Sequence, residues 1–116
     1  MILVIQGTKG FNDYSVFLRA MGTAMASLKD GDGSITIFSA GPMNINAMAS
    51  EFSNVSERSL KARGIKIKLV KVPPTWIDKN LSIIDYFAYF SKPKEPLSSQ
   101  VTAADEKDVE VGVYRY

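Results

Sequence analysis

Apolar positions in this chain fall into short continuous runs separated by longer amphipathic stretches, and the alternation repeats along the sequence. Ile2-Leu3-Val4-Ile5 is an apolar run of strand length. Behind it, Phe17, Met21, Ala24 and Leu28 recur at helical spacing. Asp13 precedes them where an N-cap accepts hydrogen bonds from the first turn. Gly31-Asp32-Gly33 predicts a turn into Ile35-Thr36-Ile37-Phe38, a β-branched and aromatic run suited to a buried parallel strand. Ser39-Ala40-Gly41-Pro42 closes that strand in a turn of small residues.

From about Asn44, the positions Ile45, Met48, Ala49, Phe52, Val55 and Leu60 mark an amphipathic helix, the longest predicted element. Basic Lys61 and Arg63 suit its carboxyl end, and Gly64 stops it. Residues 65–72 alternate apolar side chains with Lys66, Lys68 and Lys71, the pattern of a strand near a sheet edge, before Pro73-Pro74 ends it. Residues 80–90 satisfy two patterns. Leu81, Ile84 and Phe87 fit a helix, whereas Tyr86-Phe87-Ala88-Tyr89-Phe90 fits a buried strand, and the reading adopted is a helical turn followed by a fourth strand. Lys92-Pro93-Lys94-Glu95-Pro96 reads as a proline-broken loop and residues 97–107 as a short polar helix or irregular crossover. Val109-Glu110-Val111-Gly112-Val113 reads as a last alternating strand.

Strands and helices alternating at this pitch predict one α/β domain with an open, mostly parallel five-stranded sheet. Ligands of such sheets bind outside the carboxyl ends of the strands. The loops at residues 7–13, 39–46, 73–76 and 91–94 are expected to share that edge and converge on one crevice. With 116 residues the chain is long enough for a real core and too short for a separate substrate domain.

Composition narrows the chemistry. The chain has no Cys and no His, which removes thiol nucleophiles, imidazole bases and thiolate or imidazole zinc sites. A net charge of +2 with interspersed signs makes nucleic acid the least favoured partner. The opening apolar run is far shorter than the ~20 residues a bilayer span requires and has no basic region ahead of it, so it reads as a strand and not a signal or anchor. A cytoplasmic protein with no membrane partner is the expectation.

The first loop, Gly7-Thr8-Lys9-Gly10-Phe11-Asn12-Asp13, carries the main functional signal. A glycine-rich, lysine-bearing turn between a buried strand and a helix can open its backbone to a phosphate while Lys9 adds charge. The same residues also make an ordinary strand-to-helix turn. Gly41, Asn44 and Asn46 offer donors to a base or ribose, or cap a helix. Lys92 and Lys94 are point charges for a phosphate or a solvated loop. Trp76 stacks on a base or anchors the core. Asp13, the one acid of the first loop, has capping as its competing job. Tyr86, Phe87, Tyr89, Phe90, Tyr114 and Tyr116 either present an oligomer or partner surface or pack beneath the helical layers.

In order and spacing, these loops resemble the small Rossmann-like proteins of the SLOG superfamily, closest to its YspA-like branch, over almost the whole chain. Residues 7–13 look like that branch's Gly-Ser-Arg-x-Phe-x-Asp turn. Residues 39–46, starting at Ser39, align without a gap with its His-Gly-Gly-Ala-x-Gly-Ala-Asp segment, and Pro73-Pro74-Thr75-Trp76 with its Pro-Ala-Asp-Trp. The resemblance implies a Rossmann-like three-layer sandwich binding a nucleotide or nucleotide-derived ligand through Gly7, Thr8, Lys9, Gly10, Phe11, Asp13, Ser39, Gly41, Asn44, Asn46, Trp76 and Lys92. Its relatives include phosphoribohydrolases and the DNA-processing protein DprA, and they commonly form homodimers.

The chain departs from the pattern at Lys9 for arginine, Asn44 for the central glycine and Asn46 for the acid. Residues 91–96 contain no glycine where the family has a Gly-Gly-x-Gly-Thr phosphate loop, so the phosphoribohydrolase motif is absent. These departures point to a sensor or sequestering module with no catalytic residues and no resident cofactor or metal. The competing expectation is an interaction protein, such as a phage-encoded host-modulating factor, that keeps the fold and uses its surface.

Overall fold

In the computed structural model the structure describes residues 1–26, 28 and 33–116, and the turn predicted at Gly31-Asp32 lies outside them. The strands are β1 (Ile2–Gly7), β2 (Ser34–Ser39), β3 (Lys66–Lys71), β4 (Tyr86–Ser91) and β5 (Val111–Arg115). The helices are α1 (Tyr14–Met25), α2 (Met43–Ala62), α3 (Pro74–Lys79) and α4 (Ser99–Glu106), with a 3-10 turn at Leu81–Ile83. All four strand pairings are parallel, in the spatial order β3-β2-β1-β4-β5.

That order follows from chain direction. The first half steps outward from β1 through β2 to β3; the second returns to the other side of β1 and steps outward through β4 to β5. Because parallel crossovers are right-handed, reversing the direction of travel moves the helices to the opposite face. Accordingly, Leu3, Ile5, Ile35, Ile37, Ala88 and Phe90 pack with α1 and α2, whereas Val4, Phe87 and Tyr89 pack with Ile77 of α3 and Val101 and Ala104 of α4. The protein is a Rossmann-like three-layer α/β sandwich with an all-parallel five-stranded sheet.

Local chemistry sets the element ends. Asp13 is in extended conformation, and its carboxylate accepts from the Val16 N–H at 3.1 Å, so the predicted N-cap is present. Gly64, at φ +77°, follows α2 in the left-handed conformation that ends helices. The lysine-bearing β3 is an edge strand, and Lys66, Lys68 and Lys71 are exposed along it.

Three expectations need correction. Pro73-Pro74 ends β3 and also begins α3, because proline at the first helical position loses no hydrogen bond the helix would have made. Val55, placed on the apolar stripe of α2, is 66% exposed, since at 100° per residue it falls on the flank of the buried stripe of Ile45, Ala49, Phe52 and Leu60. The last strand starts at Val111, two residues later than its alternation suggested: Val109 N–H is still bonded to the Ala104 carbonyl at 3.0 Å and belongs to the end of α4.

The aromatic surplus is mostly interior. Tyr86, Phe87, Tyr89 and Phe90 are all buried in β4, whose six residues are covered on both faces. Phe90 packs against Phe17 at 5.0 Å, Phe11 at 5.1 Å and Tyr114 at 5.4 Å between ring centroids. Burying a side chain of this size stabilises the fold by about 1.5–3 kcal/mol. Tyr114 also shares a 2.9 Å hydrogen bond with Tyr86, whose hydroxyl is pushed well above its ordinary pKa by burial and that bond. Of the terminal pair, Tyr116 alone is exposed. No helix among the described residues is long and apolar enough to cross a membrane.

Candidate functional site

The four loops do lie at the carboxyl edge of the sheet, but they form two separate arrangements. Where the strand order reverses, between β1 and β4, the crevice that would receive a ligand is closed by the protein itself. The Thr8 hydroxyl donates to Glu95 Oε1 at 2.5 Å, and the Lys92 backbone N–H donates to the same oxygen at 2.6 Å. A Cβ added to Gly10 would lie 3.1 Å from Glu95 Oε2, so the carboxylate rests directly on the glycine of the first turn. Those two hydrogen bonds, the Thr8 hydroxyl first, hold the Glu95 carboxyl below the usual glutamate pKa, with the Lys92 charge adding to the effect.

Glu95 is fixed because its loop is fixed. The Arg115 guanidinium donates to the carbonyls of Pro93 at 2.8 Å and Glu95 at 2.9 Å, and the Tyr89 hydroxyl donates to the Pro96 carbonyl at 3.3 Å. Ser98 Oγ donates to Gln6 Oε1 at 2.7 Å, while Gln6 Nε2 donates to Gln100 Oε1 at 3.1 Å and Gln100 Nε2 to Asp78 at 3.0 Å. Gln6 is a buried polar side chain at the end of an apolar strand, and these bonds offset the cost of its burial. The loop between β4 and α4 is thereby laced to β1.

The second arrangement lies on the other side of β1. Gln6 at the end of β1, Gly7, Thr8 and Lys9 of the first loop, Ala40, Gly41 and Pro42 of the second, and Pro74 at the start of α3 line an open, shallow cavity of about 360 Å³. That volume is within the range of small-molecule sites, about 300–1,000 Å³. Gly41 sits at φ +80°, a conformation that costs other residues, and its carbonyl accepts from Gly7 N–H at 3.1 Å, binding the two loops together. Lys9 is exposed and makes no hydrogen bond or ion pair among the described residues, so its charge is uncommitted at the cavity rim.

Among the remaining residues singled out from the sequence, most have structural work. Gly7 is required by packing: a Cβ there would come within 2.6 Å of the Phe90 carbonyl and 2.7 Å of Ile45 Cδ1. Phe11 is fully buried against Phe90, and Asp13 caps α1. Asn44 spends both amide protons inside the protein, donating to the carbonyls of Thr8 at 3.1 Å and Phe11 at 2.7 Å. These two bonds tie the first loop to α2. Ser39 is buried and donates to Asn46 Oδ1 at 2.5 Å. Trp76 of α3 is half-buried and stacks on Phe38 at 4.1 Å, against the core between α3 and the sheet. Lys92 is exposed on the Glu95 loop, outside the cavity.

Glu95 and Gln6 were missed by sequence reasoning. Gln6 carries a sequence signal, a polar residue ending the apolar β1, whereas the Glu95 contact has none because it joins two loops 87 positions apart.

A larger cavity of about 560 Å³ opens at the opposite, amino edge of the sheet, between Met1, Thr23, Ala24, Asp85, Tyr86 and Glu110. Asp85 is already engaged there by the Ile2 N–H at 2.6 Å, and the position is the wrong edge for a ligand of an open parallel sheet. Among the described residues, no group of three or more carboxylates is placed to hold a metal ion. Compared with protein-family models, curated proteins and solved structures, the chain finds no significant match.

Proposed function

We propose that this protein binds a nucleotide or nucleotide-derived small molecule in the cavity between the β1 and β2 loops, as a sensor or sequestering module. The observation that carries the reading is the convergence of Gly7-Thr8-Lys9 and Ala40-Gly41-Pro42 on one cavity at the carboxyl edge, with an uncommitted lysine at its rim. The lining is largely apolar, which suits the face of a base, and Lys9 supplies its one charged side chain among the described residues. Among the described residues the lining includes no carboxylate to act as a base or nucleophile, which supports holding a ligand over turning it over.

A thermal-shift screen against nucleosides, nucleotides, cyclic dinucleotides and ADP-ribose tests this reading. A ligand at a hundred times its dissociation constant adds about 2.7 kcal/mol, and Lys9→Ala is expected to reduce that shift without changing the melting temperature of the free protein. A flat screen, or full retention of the shift in Lys9→Ala, counts against it.

A second reading rests on the β5 edge. β5 ends the sheet without the lysines that protect β3, and Leu97, Val113 and Tyr116 are exposed near it. This supports use of the edge as a protein contact, either with another protein or in a homodimer. Val113→Lys should abolish any such assembly in sedimentation or pull-down experiments while leaving ligand binding intact.

A further inference from the structure

Resting on that ligand-binding reading, we infer that Glu95 is a built-in occupant of the anion seat of the first turn, so that the site selects an unphosphorylated nucleoside-type ligand over its phosphorylated forms. A phosphate approaching a glycine-rich strand-to-helix turn uses the space over the glycine and the nearest hydroxyl. Here a carboxylate has both. Glu95 lies against Gly10, accepts the Thr8 hydroxyl, and takes the Lys92 N–H that a phosphate oxygen would otherwise find.

This carboxylate is not a surface side chain that happens to rest there. The backbone around it is clamped at the carbonyls of Pro93, Glu95 and Pro96 by Arg115 and Tyr89, and none of those bonds involves the Glu95 side chain. A phosphate entering the turn must break two charge-assisted hydrogen bonds and then sit within a few ångströms of a displaced negative charge. A neutral base and ribose in the adjoining cavity meet neither penalty, because Gly41, Ala40 and Pro42 lie on the far side of Thr8 from Glu95. The same clamp means that removing the side chain leaves the loop in place with its seat empty.

The test uses inorganic phosphate as the probe and follows the backbone amides of Thr8 and Gly10 by two-dimensional NMR, in the wild-type protein and in Glu95→Ala and Glu95→Gln. The wild type is expected to show no saturable change at these amides, whereas Glu95→Ala acquires saturable phosphate binding there. Glu95→Gln retains the side-chain volume and loses the charge, and it is expected to fall between the two. In parallel, the preference for adenosine over adenosine monophosphate should fall at least about tenfold in Glu95→Ala, equivalent to about 1.4 kcal/mol. Equal responses of Thr8 and Gly10 to phosphate in all three proteins, or in none of them, would overturn the inference. Should Glu95→Ala fail to fold, the Glu95→Gln arm decides it in the same way. Failure of the ligand-binding reading looks different: no nucleoside or nucleotide then perturbs Lys9 or Gly41, while the phosphate arm at Thr8 and Gly10 still reports on Glu95.

Discussion

Thr8 and Glu95 are 87 positions apart in the chain and share a hydrogen bond of 2.5 Å, hydroxyl to carboxylate, across the point where the strand order reverses. That bond closes the place where an open parallel sheet would ordinarily receive a ligand, and it moves the available cavity one strand over, to β1 and β2.

The bond makes stability sensitive to acid. Glu95 has a folded-state pKa below its usual value of 4.5, so its contribution is fully present above that value and is lost as pH falls through the folded-state pKa. Asp13, lowered by its hydrogen bonds to the Ser15 hydroxyl and the Val16 N–H, acts with the same sign. Melting temperatures measured from neutral pH downward should decline once pH passes below 4.5, and the decline should be shallower in Glu95→Gln. Identical pH profiles for the two proteins would show that the Glu95 contact is energetically silent.

Asn44 is expected to matter to the first loop without touching ligand. Asn44→Ala removes donors from the carbonyls of Thr8 and Phe11; Thr8 keeps its bond from the Phe11 N–H, and losing the partner of the Phe11 carbonyl costs about 1–3 kcal/mol in chemical denaturation. Asn44→Asp should cost more, since it turns a carboxylate toward those carbonyls.

Trp76 is half-buried against the core. Its indole stacks on Phe38, so Trp76→Ala should destabilise the fold by about 2 kcal/mol, somewhat less than the loss of a fully buried aromatic. Ligands that shift the melting temperature should leave the indole fluorescence unquenched. Strong quenching by a bound base would place Trp76 in the site.

The two cavity glycines should respond differently. Gly7→Ala meets the Phe90 carbonyl and Ile45 and is expected to compromise folding itself, whereas Gly41→Ala pays the left-handed conformation, roughly 1–2 kcal/mol, and folds. Comparison of their unfolding curves checks the order. Equal losses would mean that the close approach at Gly7 relaxes.

Much of this architecture is legible in the sequence because each strand of the first half is bounded by turn residues and each helix has one apolar stripe. The run Tyr86-Phe87-Ala88-Tyr89-Phe90 proved readable as a strand since a central parallel strand is buried on both faces. α3 is not legible because Pro73-Pro74 reads as a stop after β3, and proline also starts helices. At the site, the turns at Gly7 and Gly41 could be found from composition and spacing. The Glu95 contact could not, because it depends on how two loops meet after the sheet has formed. Asn44 shows the same limit from the other side: its amide reads equally as a ligand donor or a cap, and only tertiary placement shows it spent on Thr8 and Phe11.

The most direct test of the central claim is amide mapping by NMR of whichever nucleoside or nucleotide most raises the melting temperature. The account predicts saturable shifts centred on Gly7, Lys9 and Gly41, the residues that join the β1 and β2 loops around the cavity. Shifts centred on the amino edge near Asp85 and Glu110, or none at any residue, would contradict it.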